Sequence, residues 1–125
     1  MTKFSKDKKN NKLFDLEERT AKFGENVIEL CKKVNCDVIT RPIISQLVRS
    51  ATSIGANYME ANAAISKKDF RNKIYLCRKE TQETKHWLRM LAKCTPNLKE
   101  IIQDLWRESQ ELTLIFHKIT ISVNK

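Results

Sequence analysis

Apolar residues recur along this chain at alternating steps of four and three, the spacing that lines one face of an α-helix. The first seam runs Leu16, Thr20, Phe23, Val27, Leu30 and Val34, broken only by its threonine. A second runs Ile44, Leu47, Ala51, Ile54, Tyr58, Ala61 and Ile65. Phe70, Ile74, Cys77, Thr81, Thr84, Leu88 and Leu91 form a third. Leu98, Ile102, Leu105, Ser109, Leu112, Phe116 and Ile119 form the fourth. Punctuation falls between the seams. Asp15 followed by Glu18 resembles a capping box, and Thr40 with Pro42 marks a second helix start. Ser66 three residues before Asp69 is a third start signal, and Pro96 ends the helix behind it. The pattern predicts helices over about 15–35, 41–65, 67–94 and 97–122.

Four helices with short connections favour antiparallel neighbours, so the expected fold is all-α: an up-down-up-down antiparallel four-helix bundle over residues 14–123. Residues 1–13 are polar and aperiodic and read as a flexible basic tail. Gly55 interrupts a helix interior, where glycine is disfavoured, and predicts a close approach to a neighbouring helix.

Composition agrees and excludes alternatives. At 125 residues there is room for one domain. Only two Gly and two Pro are present, too few for a hairpin-rich sandwich or barrel. No run approaches the roughly 18 apolar residues of a membrane span, and no secretory segment is evident, so a cytoplasmic protein without membrane partners is expected. In that setting Cys31, Cys36, Cys77 and Cys94 read as reduced thiols, Cys77 on a core position. A zinc site from Cys31, Cys36, Cys94 and His86 is the weaker alternative, since no CxxC pair supports it.

The net charge of +9 is unevenly spread. Residues 1–14 hold +4 and residues 66–94 hold +6, while the remainder is close to neutral. Within the third helix, Arg71, Arg78 and Lys85 follow at steps of seven, with Lys68 and Arg89 on the adjacent row. Such a stripe neutralises phosphates, and the lack of matching acids one turn away sets it apart from an ordinary solvated face. No helix-turn-helix, zinc finger or aromatic RNA-binding signature accompanies it, so binding would read backbone or shape.

Catalytic patterns are missing: there is no P-loop, GxGxxG, HExxH or GxSxG. Glu60, Glu80, Glu83 and His86 echo a di-iron bundle only once, through Glu83-x-x-His86, so the chain is read as non-enzymatic and cofactor-free. His86 and His117 fall near opposite ends of an antiparallel pair. The carboxylates read better as partners of Arg49, Lys73 or Lys79. Leu114 and Ile121 stand opposite the fourth seam, flanked by Trp106, and predict a face for self-association.

The stretches FDLEERT (14–20), SQLVRSATSIGANYMEA (45–61) and KDFRNKIYLCRKETQETKHWLRML (68–91) closely resemble the four-helix-bundle proteins encoded in 23S rRNA intervening sequences. That family resembles in turn the accessory variability protein of diversity-generating retroelements. The polar residues Arg49, Asn57, Glu60, Glu80 and Glu83 carry the likeness together with the apolar ones. Beside the seams they are expected to pair across helices and fix register. The resemblance implies a left-handed bundle assembled as a ring-like homopentamer without known enzymatic activity. For the retroelement relative it implies a nucleic-acid-binding surface and a reverse-transcriptase partner. The expected function is therefore a homo-oligomeric bundle that binds RNA or DNA. The alternative is an adaptor meeting an acidic protein such as a reverse transcriptase.

Overall fold

A computed structural model of the chain describes residues 8–124, with side chains from Leu16 onward. Four helices account for nearly all of it: α1 (Lys8–Lys32), α2 (Thr40–Asn62), α3 (Lys67–Cys94) and α4 (Lys99–Val123), with a 3-10 turn at Pro96–Leu98. There is no strand among the described residues. None of the helices is long and apolar enough to cross a membrane.

Each helix packs on its sequence neighbours, α4 returns to α1, and the diagonal pairs do not meet among the described residues. Cross-helix partners run in opposite directions throughout: Ser50 meets Thr84, Glu60 meets Lys73, and Thr113 meets Thr81. On the fourth side, Arg19 meets Glu108 and Glu111. The bundle is an antiparallel square in which α1 and α4 form the thinnest seam.

The seams supply the core. All six residues of the first seam are buried, the last of them, Val34, just past the end of α1 at Lys32, three residues short of the expected end. Leu47, Ala51, Ile54, Tyr58 and Ala61 of α2 are buried as well. Ile74, Cys77, Leu88 and Leu91 of α3 meet Ile102, Leu112 and Phe116 of α4, each 2 % exposed or less. Burying a large apolar side chain contributes roughly 1.5–3 kcal/mol, so the four stripes together hold the helices. Between α2, α3 and α4 the core also contains hydroxyls. Thr84 and Ser50 share a hydrogen bond of 2.9 Å, Ser109 Oγ donates to the Thr81 carbonyl at 2.8 Å, and Thr113 meets Thr81 Oγ1 at 2.9 Å. Each of these five Ser and Thr hydroxyls also reaches a carbonyl of its own helix or its partner, whereas the buried Tyr58 hydroxyl has no hydrogen-bond partner among the described residues.

Gly55 serves the close approach its position predicts. A Cβ there would lie 3.3 Å from Thr20 Oγ1 of α1, and one on Gly24 would lie 3.6 Å from Thr52 of α2. The two glycines bring α1 and α2 together reciprocally.

Several boundaries differ from the sequence expectation. Helix α1 begins at Lys8, so Asp15 lies inside it and the Asp15–Glu18 box does not mark its start. Residues 8–13 of the expected tail belong to α1, and residues 1–7 lie outside the described residues. The start of α2 is capped by Asp37 rather than by Thr40. The Asp37 carboxylate accepts the backbone N–H groups of Ile39 (2.9 Å) and Thr40 (2.8 Å), while Thr40 Oγ1 accepts the Asp37 N–H (2.9 Å). This reciprocal box satisfies donors that a helix start leaves free. At the other end α2 stops at Asn62, and Ile65, expected in the seam, is 97 % exposed. Ser66 is extended so that its hydroxyl can accept the Asp69 N–H at 3.0 Å, and that cap takes the chain out of the helix before Ile65. Helix α4 starts two residues later than expected because Pro96 opens a 3-10 turn.

Candidate nucleic-acid interface

Helix α3 separates its charges onto two flanks. Toward α2 it carries paired ones: Arg49 of α2 meets Glu83 at 2.7 Å and Glu80 at 3.5 Å, and Lys73 meets Glu60 of α2 at 2.7 Å. Hydrogen bonding to Glu60 raises the Lys73 pKa. Asn57 takes no part in this cross-helix pairing; its side chain donates to the Ser53 carbonyl of its own helix at 2.9 Å. Its expected cross-helix role is corrected accordingly, because its short amide reaches the preceding turn.

Toward α4 the same helix carries the basic stripe. Lys85 Nζ donates to Gln110 Oε1 and stands 5.3 Å from the centre of the Trp106 ring. One heptad along, the same antiparallel register sets Arg78 level with His117, and Asn124, just past the end of α4, reaches the Tyr75 hydroxyl of α3. Arg71, Arg78 and Lys85 are half-buried, with Lys68 and Arg89 more exposed. None of the five has a carboxylate within 4 Å among the described residues.

The ion-paired acids that α3 and α4 share with α1 and α2 lie elsewhere. Glu80 and Glu83 face Arg49 of α2. Glu108 and Glu111 of α4 face Arg19 of α1, whose guanidinium grips Glu108 through two bonds of 2.6 and 2.8 Å and Glu111 through one of 2.7 Å. Those bonds, Glu108 first, raise the Arg19 pKa against the opposing effect of burial. Asp104 lines the groove between α1 and α4. The α3–α4 face thus presents cations, amides, an imidazole and rings, with its counter-charges turned to the opposite flanks.

Leu114 and Ile121, opposite the seam and one turn from Gln110 and His117 on the helix surface, are 54 % and 50 % exposed; Trp106 is 39 % exposed. The proposed association surface and the basic stripe therefore adjoin, although spacing along the chain gives no sign of it. Nor does spacing reveal the fork of Arg19 on Glu108 and Glu111. Its one trace in the sequence is a pair of acids three residues apart on one side of the fourth seam.

Other candidate clusters do not assemble. Among the described residues no group of three or more His, Cys, Asp or Glu side chains is placed to hold a metal ion. Glu60, Glu80 and Glu83 are occupied by Lys73 and Arg49, and His86 packs edge-on against Trp87 at 4.9 Å. His117 lies about two turns from His86 along the α3–α4 register.

These features define a class: an antiparallel helical bundle with a cationic flank and no assembled catalytic cluster among its described residues. The family model of the 23S rRNA-intervening sequence protein matches residues 13–120, and the chain belongs to that family. It is similar to a protein of unknown function from the S23 ribosomal protein family of Bacteroides thetaiotaomicron VPI-5482, known from a crystal structure. The identity is 30 % and the TM-score 0.74, covering 83 % of this chain and 96 % of that one. No curated protein matches the chain.

Proposed function

We propose that this chain is a non-catalytic, homo-oligomeric bundle whose α3–α4 face binds nucleic acid through backbone or shape. The observation that carries the reading is the charge segregation. Among the described residues Arg71, Arg78 and Lys85 stand in one row, with Lys68 and Arg89 on the adjacent one, and none has a carboxylate partner, while Arg19, Arg49 and Lys73 are all paired. An unpaired row keeps its full attraction for a polyanion, and neutralising phosphates releases counterions. Self-association has its support in Leu114 and Ile121, large apolar side chains half-exposed one heptad apart. The five-subunit ring is what the resemblance adds.

Binding is tested by fluorescence anisotropy with labelled oligonucleotides across a salt series. Replacing Arg71, Arg78 and Lys85 together by Gln weakens binding and flattens the slope of log affinity against log salt. Each phosphate no longer neutralised removes up to about 0.9 from that slope on a duplex, or about 0.7 on a single strand. Equal binding by parent and triple variant at every salt concentration reduces the stripe to a solvated face. Light scattering tests assembly: the expected mass is several times 14.6 kDa, and Leu114→Glu lowers it. A stable monomer at micromolar concentration refutes that part.

A further inference from the structure

We infer that the nucleic acid recognised by the α3–α4 face is single-stranded, its bases stacking on Trp106 and Tyr75 while the α3 cations follow its phosphates. The inference rests on the proposed function and narrows it to a substrate class.

Two aromatic rings share the cationic face. Trp106 is 39 % exposed and Tyr75 41 % exposed. Lys85 stands over the Trp106 ring, and Asn124 Nδ2 donates to the Tyr75 hydroxyl at 2.9 Å, so each ring is tied to the opposite helix. In the Lys85–Gln110 register Trp106 stands level with Arg89, fourteen residues beyond Tyr75, which sets the two aromatic residues about 21 Å apart along the helix axis. Arg78 lies between them. A duplex keeps its bases stacked inside and offers such rings only phosphate and sugar. An unpaired strand offers a π-face at every base, and rings alternating with cations are the arrangement that holds it.

The shape of the stripe points the same way. From Lys68 to Arg89 it runs nearly straight for about 32 Å. That length is close to one duplex turn of about 34 Å, over which each phosphate strand winds away to the far side. A flexible single strand can follow a straight row throughout. Lys85 needs only to shift from the Trp106 ring to a phosphate as a base takes its place, an exchange of one cation contact for another.

The test uses the full chain carrying Trp87→Phe, which leaves Trp106 as its one tryptophan. The probes are one oligonucleotide as a single strand and the same oligonucleotide annealed to its complement. The single strand is expected to bind more tightly and to quench Trp106 fluorescence. In the parent chain Trp106→Ala is expected to weaken single-strand binding roughly 5- to 160-fold, the range for removing one base stack, without changing the salt slope. Trp106→Phe retains most of the affinity, and Tyr75→Ala provides an independent second variant; far-UV circular dichroism confirms that each is folded, and light scattering that each keeps the parent's mass, so a loss of binding is not a loss of assembly. Equal binding of strand and duplex, with Trp106→Ala and Tyr75→Ala neutral, overturns this inference. Weakening by the triple Gln variant alone would then leave the broader reading standing. If neither probe binds, both fall.

Discussion

The two glycines at the α1–α2 contact make opposite predictions from a difference of 0.3 Å. Replacing a helix-interior glycine by alanine gains about 0.5–1 kcal/mol of propensity when the methyl group has room. At Gly24 the new Cβ would lie 3.6 Å from Thr52 Cα and Cγ2 and 3.7 Å from the Ala51 carbonyl oxygen, ordinary contact distances. Unfolding entropy of about 2.1 cal/mol/K per residue makes 1 kcal/mol worth roughly 4 °C in a chain of this size. Gly24→Ala is therefore expected to raise Tm by about 2–4 °C. At Gly55 the methyl would meet Thr20 Oγ1 at 3.3 Å. That hydroxyl is buried and held to the Glu17 carbonyl at 3.0 Å, so it has little freedom to retreat. The clash cancels the propensity gain, and Gly55→Ala leaves Tm unchanged or lowers it. In a Thr20→Ala background the obstacle is gone and the same change stabilises, giving a coupling of about 1 kcal/mol. Thermal unfolding followed by circular dichroism at one fixed protein concentration measures all four species, since self-association would make Tm concentration-dependent. A fall of more than about 4 °C for Gly24→Ala refutes the packing argument. So does an identical effect of Gly55→Ala in both backgrounds.

Three further outcomes follow from the same contacts. A double-mutant cycle on Arg19→Ala and Glu108→Ala should give a coupling near 1 kcal/mol, the upper end for a bidentate pair that solvent still screens, and it should shrink in 1 M salt; a value below about 0.2 kcal/mol contradicts the fork. Asp37 has its pKa lowered by the backbone N–H groups of Thr40 and Ile39, so its stabilisation is present above the ordinary carboxylate range and is lost as pH falls through the lowered value. Asp37→Ala should lower Tm at pH 7 and flatten the acid side of the stability profile, whereas Asp37→Asn keeps the cap and loses only the pH dependence. Burial pushes the Cys77 thiol up to about 12 and Cys31 up to about 11, while Cys36 is exposed. Thiol labelling at pH 8 should therefore modify Cys36 first and Cys77 only on unfolding. Both shifted thiols, the half-buried Cys31 and the buried Cys77, should also erode stability as pH rises from about 9, because only the unfolded chain ionises there.

The core was legible in the sequence because burial on a helix follows a 3.6-residue period that any stripe of apolar residues reveals. Seam positions such as Val27, Ile54, Leu88 and Phe116 are each fully buried. The pattern misleads where the period ends. Ile65 continues the steps once more, three residues past the end of α2 at Asn62, and only the Ser66 cap shows that the chain has already turned. Ser50 and Thr113 are buried although they lie beside the seams, because each hydroxyl finds a partner on α3 that one-dimensional spacing does not display.

Charge was legible in amount and row but not in consequence. Heptad spacing aligned Arg71, Arg78 and Lys85 on one flank, since seven residues are nearly two full turns. Which flank that is, and what faces it, depends on the register between helices. Packing of α3 against α4 brings Lys85 over Trp106 and sets Leu114 and Ile121 beside that flank. Packing of α1 and α2 against the other flanks draws Glu108, Glu111, Glu80 and Glu83 away from it. Local spacing determines which residues of one helix share a face. Only tertiary contact decides which charges are neutralised, because electrostatic partners in a bundle are set by residues distant in sequence.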